Sequence, residues 1–245
     1  MRTLSDHEVL RTWETGLAQH PVDRALTILA VLLPDADRDR LAAMSVGRRD
    51  AHLMDTREAN FGTAVSGVAE CPECGEFLEW ALDLGEIRSP QSDTDGAGGP
   101  NRLVFREYEL LYRLPDSTDL AAAALAGDVA RGRAALVRRC VLETQREGVK
   151  IEPSYLPETV VLGLAAEMEA RDPQAETLLD FECPACGVRW QELFDVLAFL
   201  WAEIQARARR LLGEVHGLAR AYGWSEAAIL AMSPVRRRFY LEAAT

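Results

Sequence analysis

The spacing of apolar residues divides the chain into helical and strand-like stretches. Near the start, Val9, Leu10, Trp13 and Leu17 recur at the helical period. Pro21 suits the first turn of a second helix, whose Val22, Leu26, Leu29 and Leu33 fall near one face before Pro34 stops it. Ser45 is a candidate N-cap for a third helix carrying Leu53, Arg57 and Asn60, with Gly62 just past its end. Arg48 and Arg49 sit early in that helix, where the dipole disfavours cations, and are expected on a solvated face. Residues 64–83 alternate like strands. Residues 89–101 are small, polar and rich in Gly and Pro, which predicts a flexible linker.

Beyond the linker, residues 102–114 alternate as a strand through Leu103, Phe105, Tyr108, Leu110 and Tyr112. Residues 116–147 are Ala-rich and predicted to be helical, capped by Ser117 or Thr118, and 158–170 form a further helix. The strongest periodicity lies near the C-terminus. Leu193, Leu197, Leu200, Ile204, Ala208, Leu211, Val215, Leu218 and Tyr222 step by three or four and make one apolar stripe of a long helix. Glu203 with Arg207, and Arg210 with Glu214, stand at i,i+4 and are expected to pair. Gly213 and Gly217 permit a close helix crossing, and Gly223 suits a left-handed cap. Ser225 and Ser233-Pro234 open two short final helices.

Two near-copies of one motif interrupt this pattern, Cys71-Pro72-Glu73-Cys74-Gly75 and Cys183-Pro184-Ala185-Cys186-Gly187. Each is a knuckle: the turn aims two thiolates to one side, and the closing glycine admits the positive φ that reverses the chain. Two facing knuckles supply the tetrahedron of four thiolates that zinc prefers, with Zn–S near 2.3 Å. Strand-like residues follow the first pair and precede the second, as in a zinc ribbon. Cys183 lies 109 positions beyond Cys74, far more than a compact ribbon spans. We therefore expect an α+β, mainly helical fold built around a split zinc ribbon. It comprises an N-terminal helical region (1–62), the ribbon halves (63–85 and 177–191), an inserted helical subdomain (86–176) and a C-terminal helical region (192–245). Closure entropy grows only with the logarithm of loop length, so the insertion is tolerable.

Rival readings of the cysteines are a dithiol redox pair, a rubredoxin-like iron site, and half-sites completed by another chain. A thioredoxin-like pair would follow a strand and open a helix, whereas strand-like sequence surrounds both pairs here. Four thiolates leave zinc no open position, so the expected metal is structural, zinc by preference over iron, and the protein is not expected to be an enzyme. His7, His20, His52 and His216 are scattered, and Cys140 reads as a buried thiol beside Leu136, Val137 and Val141. There is no P-loop, dinucleotide fingerprint or nucleophile elbow.

Composition narrows the class further. The 245 residues are 48% hydrophobic and 27% charged, as in ordinary folded chains, and a net charge of −12 repels a phosphate backbone, so no nucleic-acid partner is expected. No run is apolar enough to span a bilayer, and the run at 25–33 is too short for a secretion signal. A cytoplasmic location and reduced cysteines are the expectation.

A further set of residues carries a family resemblance. It comprises Gly47-Arg48-Arg49-Asp50 with Leu53, Arg57-Glu58 and Phe61-Gly62 leading into the first knuckle, then Tyr112-Arg113-Leu114-Pro115 and Arg139-Cys140-Val141. It ends on Tyr222-Gly223-Trp224-Ser225-Glu226, Ile229-Leu230, Met232-Ser233, Arg237-Arg238 and Tyr240-Leu241. Together they resemble the baseplate hub assembly chaperones of T-even-like contractile-tail phages and their relatives in extracellular contractile injection systems. The resemblance implies an assembly factor for the hub or spike of a contractile tail, whose partners are hub and spike proteins. The alternatives are a structural baseplate component, or a zinc-ribbon adaptor unrelated to tails. Arg236, Arg237 and Arg238 crowd the first turn of the last helix, against the dipole. They are candidate contacts to an acidic partner, with pairing inside this chain as the simpler explanation.

Overall fold

In the computed structural model, which describes residues 2–89 and 99–244, four helices lead into the first knuckle. They are α1 (Asp6–Gly16), α2 (Pro21–Leu32), α3 (Arg38–Ala42) and α4 (Val46–Phe61). Ser5 closes a capping box with Glu8 on α1, and Ser45 caps α4 by accepting from the Arg48 amide. The chain then forms a hairpin, β1 (Ala64–Glu70) with β2 (Phe77–Asp83), and one helical turn, α5 (Leu84–Ile87).

The middle of the chain departs from the expected helical subdomain. It holds a four-stranded antiparallel sheet of β3 (Asn101–Phe105), β4 (Tyr108–Tyr112), β5 (Val141–Arg146) and β6 (Val149–Lys150). Around it lie α6 (Ser117–Ala124), α7 (Val129–Cys140) and α8 (Glu158–Arg171). The single strand expected over 102–114 is a hairpin, turned at Arg106, whose φ is 54°. The helix expected over 116–147 breaks at Gly127 (φ 86°) and ends at Cys140, where Val141 to Thr144 join the sheet and Glu147-Gly148, both at positive φ, turn it back. Asp116 caps α6 instead of Ser117 or Thr118. Of the expected linker, residues 90–98 lie outside the described residues; Asn101 already belongs to β3.

The second knuckle sits between β7 (Leu178–Glu182) and β8 (Arg189–Leu193), after which α9 (Val196–Tyr222), α10 (Glu226–Leu230) and α11 (Pro234–Ala243) finish the chain. Asp195 caps α9 through the Ala198 amide, and Gly223, at φ 70°, closes it in the left-handed conformation.

Two clusters of buried side chains result. The larger joins α1, α2 and α4 to the apolar stripe of α9 through residues such as Val9, Ile28, Leu53, Leu200 and Ile204. The smaller, around Tyr108, Tyr112, Val141, Val160 and Leu164, lies between the four-stranded sheet and α8. On α9 the expected i,i+4 pairs are replaced by distant partners. Glu203 takes Arg57 at 2.8 Å, Arg207 takes Asp6 at 2.7 Å, and Glu214 takes Arg237 at 2.7 Å. Buried guanidiniums demand carboxylates more strongly than exposed helix neighbours do. Gly217 supports the expected crossing, since a Cβ there would meet Leu241 of α11 at 2.9 Å; Gly213 faces open space. Among the described residues no helix is long and apolar enough to cross a membrane.

The duplication extends past the knuckles. Each cysteine of the second knuckle lies 112 positions (183 − 71) after its counterpart, and that offset also relates Gly75 to Gly187 and Asp83 to Asp195. The starts of α4 and α8, at 46 and 158, obey it too. The repeated unit is thus helix, hairpin with knuckle, then an Asp-capped helix, since Asp83 caps α5 as Asp195 caps α9. The two hairpins are separate two-stranded sheets with no strand pairing between them.

Candidate metal centre

Each knuckle is set by the same backbone bonds. The Gly75 amide donates to the Cys71 carbonyl and the Cys71 amide to the Glu76 carbonyl, both within 2.9 Å; Gly187 to Cys183 and Cys183 to Val188 repeat them at 2.9 Å. Gly75 and Gly187 have φ of 73° and 74°, which side chains bearing a Cβ rarely adopt. In both knuckles the first cysteine is buried, 2% exposed, and the second faces solvent.

What aligns the two hairpins is aromatic packing. The Trp80 ring lies over Gly67, its cross-strand partner, where a Cβ would come within 2.7 Å of it. From β2 it meets Phe181 of β7 at 6.3 Å, Phe194 at 6.5 Å and Phe199 at 5.6 Å, and Phe181 stacks on Trp190 at 5.4 Å. These residues were not singled out from the sequence; the alternation of β2 and the offset repeat carried the signal.

The result is one cluster of four sulfurs, all within 4.8 Å of one another. Cys71 and Cys186 stand 3.7 Å apart and Cys74 and Cys183 3.6 Å, so each buried sulfur lies beside the exposed sulfur of the other knuckle. A tetrahedron with Zn–S near 2.3 Å has edges of about 3.8 Å, which these separations match. The site therefore fits a tetrathiolate metal ion. None of the five cysteines is in a disulfide.

Electrostatics points the same way. Burial pushes the Cys183 thiol up, but the amides of Cys186 and Ala185 outweigh it and bring it down to about 7. At Cys74 the Glu76 amide lowers the thiol, yet desolvation and the neighbouring sulfurs drive it up to about 12. Four thiols in contact resist losing their protons together; a divalent cation at their centre removes that resistance. An ion held by all four thiolates would be saturated, with no open position for water.

Among the described residues this is the one group of clustered ligands. The histidines are apart: His20 caps α2 by accepting from the Val22 amide, and His52 lies in α4. Cys140 is buried beside Asp119 at 3.7 Å, and burial together with that carboxylate pushes its thiol up to about 12. Asp119 is wholly buried and bridges Arg113 and Arg139, the cations of two of the resemblance segments.

One arginine expectation is corrected, and a choice between two readings is decided for another. Arg49 is buried and paired with Asp50 at 2.7 Å instead of lying on a solvated face. Arg237, a candidate partner contact with Arg236 and Arg238, instead follows the simpler reading of pairing inside the chain: it is 2% exposed and clamped between Asp6 at 2.6 Å and Glu214 at 2.7 Å. It also donates to the Met232 carbonyl at 2.7 Å, while its bond to Asp6 ties α11 to α1. The two carboxylates, inward at the α9–α11 crossing, supply what the dipole at its position denies. Arg236 and Arg238 stay exposed.

No family model, no curated protein and no solved structure matches the chain. The fold and the site define a mixed, mainly helical protein in which two repeated knuckle units bring four cysteines within reach of one metal ion.

Proposed function

We propose that this protein is a non-catalytic assembly factor, clipped by one structural zinc in a split zinc ribbon, that acts on the hub or spike of a contractile tail or injection system. The convergence of two remote knuckles on one saturated four-sulfur site carries the first half of this reading. Such a site fixes the relation of distant segments and leaves no position for a substrate. Resemblance carries the second half, and the residues behind it have defined places. Gly47 donates its amide to Asp172 at 2.9 Å, Arg113 and Arg139 hold Asp119, and Tyr222 and Trp224 stack at 4.5 Å.

The test is capture of the tagged protein from its native host, set beside the composition of purified particles. An assembly factor is recovered with hub or spike proteins and is missing from finished particles. Recovery within finished particles would make it a structural component, and recovery with transcription proteins alone would overturn the tail assignment.

A further inference from the structure

The inward turn of Arg237 leaves a different surface on α11 from the one its sequence suggests. Val235 and Phe239, one turn apart, are 80% and 65% exposed. Phe239 belongs to a contiguous group of four aromatic rings: Tyr222 stacks on Trp224, Tyr240 meets both edge-on, and Phe239 meets Tyr240 at 5.6 Å. Arg236 lies 5.6 Å over the Tyr240 ring. Neither Arg236 nor Arg238 has a carboxylate partner among the described residues, although both lie in the N-terminal half of α11.

Single exposed apolar residues are ordinary, but a contiguous aromatic group flanked by arginines has the composition of a protein interface core. The unpaired cations define what complements it. Near the positive end of a helix they are held against the dipole, and a carboxylate from outside relieves both repulsions.

We propose that the exposed face of α11, with Tyr222 and Trp224, docks an acidic peptide segment of a partner protein that inserts an apolar side chain between Val235 and Phe239 and presents carboxylates to Arg236 and Arg238. The surface deepens the assembly-factor reading and rests on it only for the identity of the partner.

The surface is tested by fluorescence anisotropy, titrating the full chain into a labelled synthetic peptide in which aspartates alternate with leucine and phenylalanine. Saturable binding is expected, weakening with salt. Phe239→Ser and the double substitution Arg236→Gln, Arg238→Gln should each weaken it by about tenfold or more without moving the melting temperature. Arg237→Ala should lower the melting temperature, which separates the clamp from the surface. Undiminished binding by either surface variant, equal binding of a peptide with serines for its apolar residues, or a stable dimer of this chain that Phe239→Ser dissolves would each overturn the proposal. Capture of co-expressed hub or spike proteins forms a second arm. If the peptide results hold and no hub protein is captured, the tail assignment fails while the docking surface stands.

Discussion

The two knuckle units share an offset, a turn and a cap, yet they are built into different surroundings. In the first, α4 packs in the large core beneath α9, and α5 lasts a single turn. In the second, α8 packs on the four-stranded sheet through Val160 and Leu164, and α9 runs for 27 residues through the larger core. Trp80, the ring that holds the hairpins together, has Glu192 as its counterpart at the same offset. What both units keep is the geometry around sulfur; what has diverged is everything that packs against it. The four-cysteine cluster therefore forms the symmetric part of the molecule and the cores the asymmetric part.

The largest expected effect bears on the symmetric part. Structural zinc contributes ~10–16 kcal/mol of apparent folding free energy in peptide systems, and its removal by a chelator should lower the melting temperature more than any single substitution outside the site. Cys71→Ser and Cys183→Ser should destabilise to the same extent, as read by chemical denaturation. A large effect at one knuckle alone would break the symmetry. Thiol titration sharpens the point: four thiols should become reactive on chelation while buried Cys140 lags.

The asymmetric part predicts the next largest difference. Trp80→Ala should cost roughly 2–4 kcal/mol, because the ring bridges both hairpins and the start of α9. Its counterpart change, Glu192→Ala, loses only an exposed hydrogen bond from the Trp190 indole and should cost about 0.5–1 kcal/mol. Comparable losses would show that the units are held alike. Gly75→Ala and Gly187→Ala return to the symmetric part. Neither position has a steric obstacle to a Cβ, so each should cost the same roughly 1–2 kcal/mol of left-handed backbone strain, measured by thermal melting.

Small effects come from the caps as well. Asp195→Ala removes the acceptor for the Ala198 amide at the head of a long core helix and should cost about 1 kcal/mol. Asp83→Ala frees both the Gly85 amide of a one-turn helix and the Thr63 hydroxyl, and should cost about 1 kcal/mol as well. Amide exchange over the first turn of each helix would read both losses directly.

Much of this was legible in the chain, for reasons that differ by element. The knuckles and their meeting could be read because cysteine, proline and glycine act through local backbone geometry and a shared ion, not through surroundings. The long stripe of α9 and the Ser45 and Gly223 caps were equally local. The sheet within the insertion was hidden by alanines: Val141 to Thr144 follow a strong helical run, and only Glu147-Gly148 marks the return. The burial of Arg49 beside Asp50 is not legible from helical spacing, and the pairing of Arg237 inside the chain is legible only as one of two readings, because its partner Asp6 lies more than two hundred residues away. Helical spacing likewise could not foresee that Glu203 would turn to Arg57.

Metal K-edge X-ray absorption on the protein purified without added metal tests the central claim most directly. One metal ion per chain with four sulfur neighbours near 2.3 Å is the predicted result. A first shell of oxygen or nitrogen, or full folding with no bound metal, would contradict it.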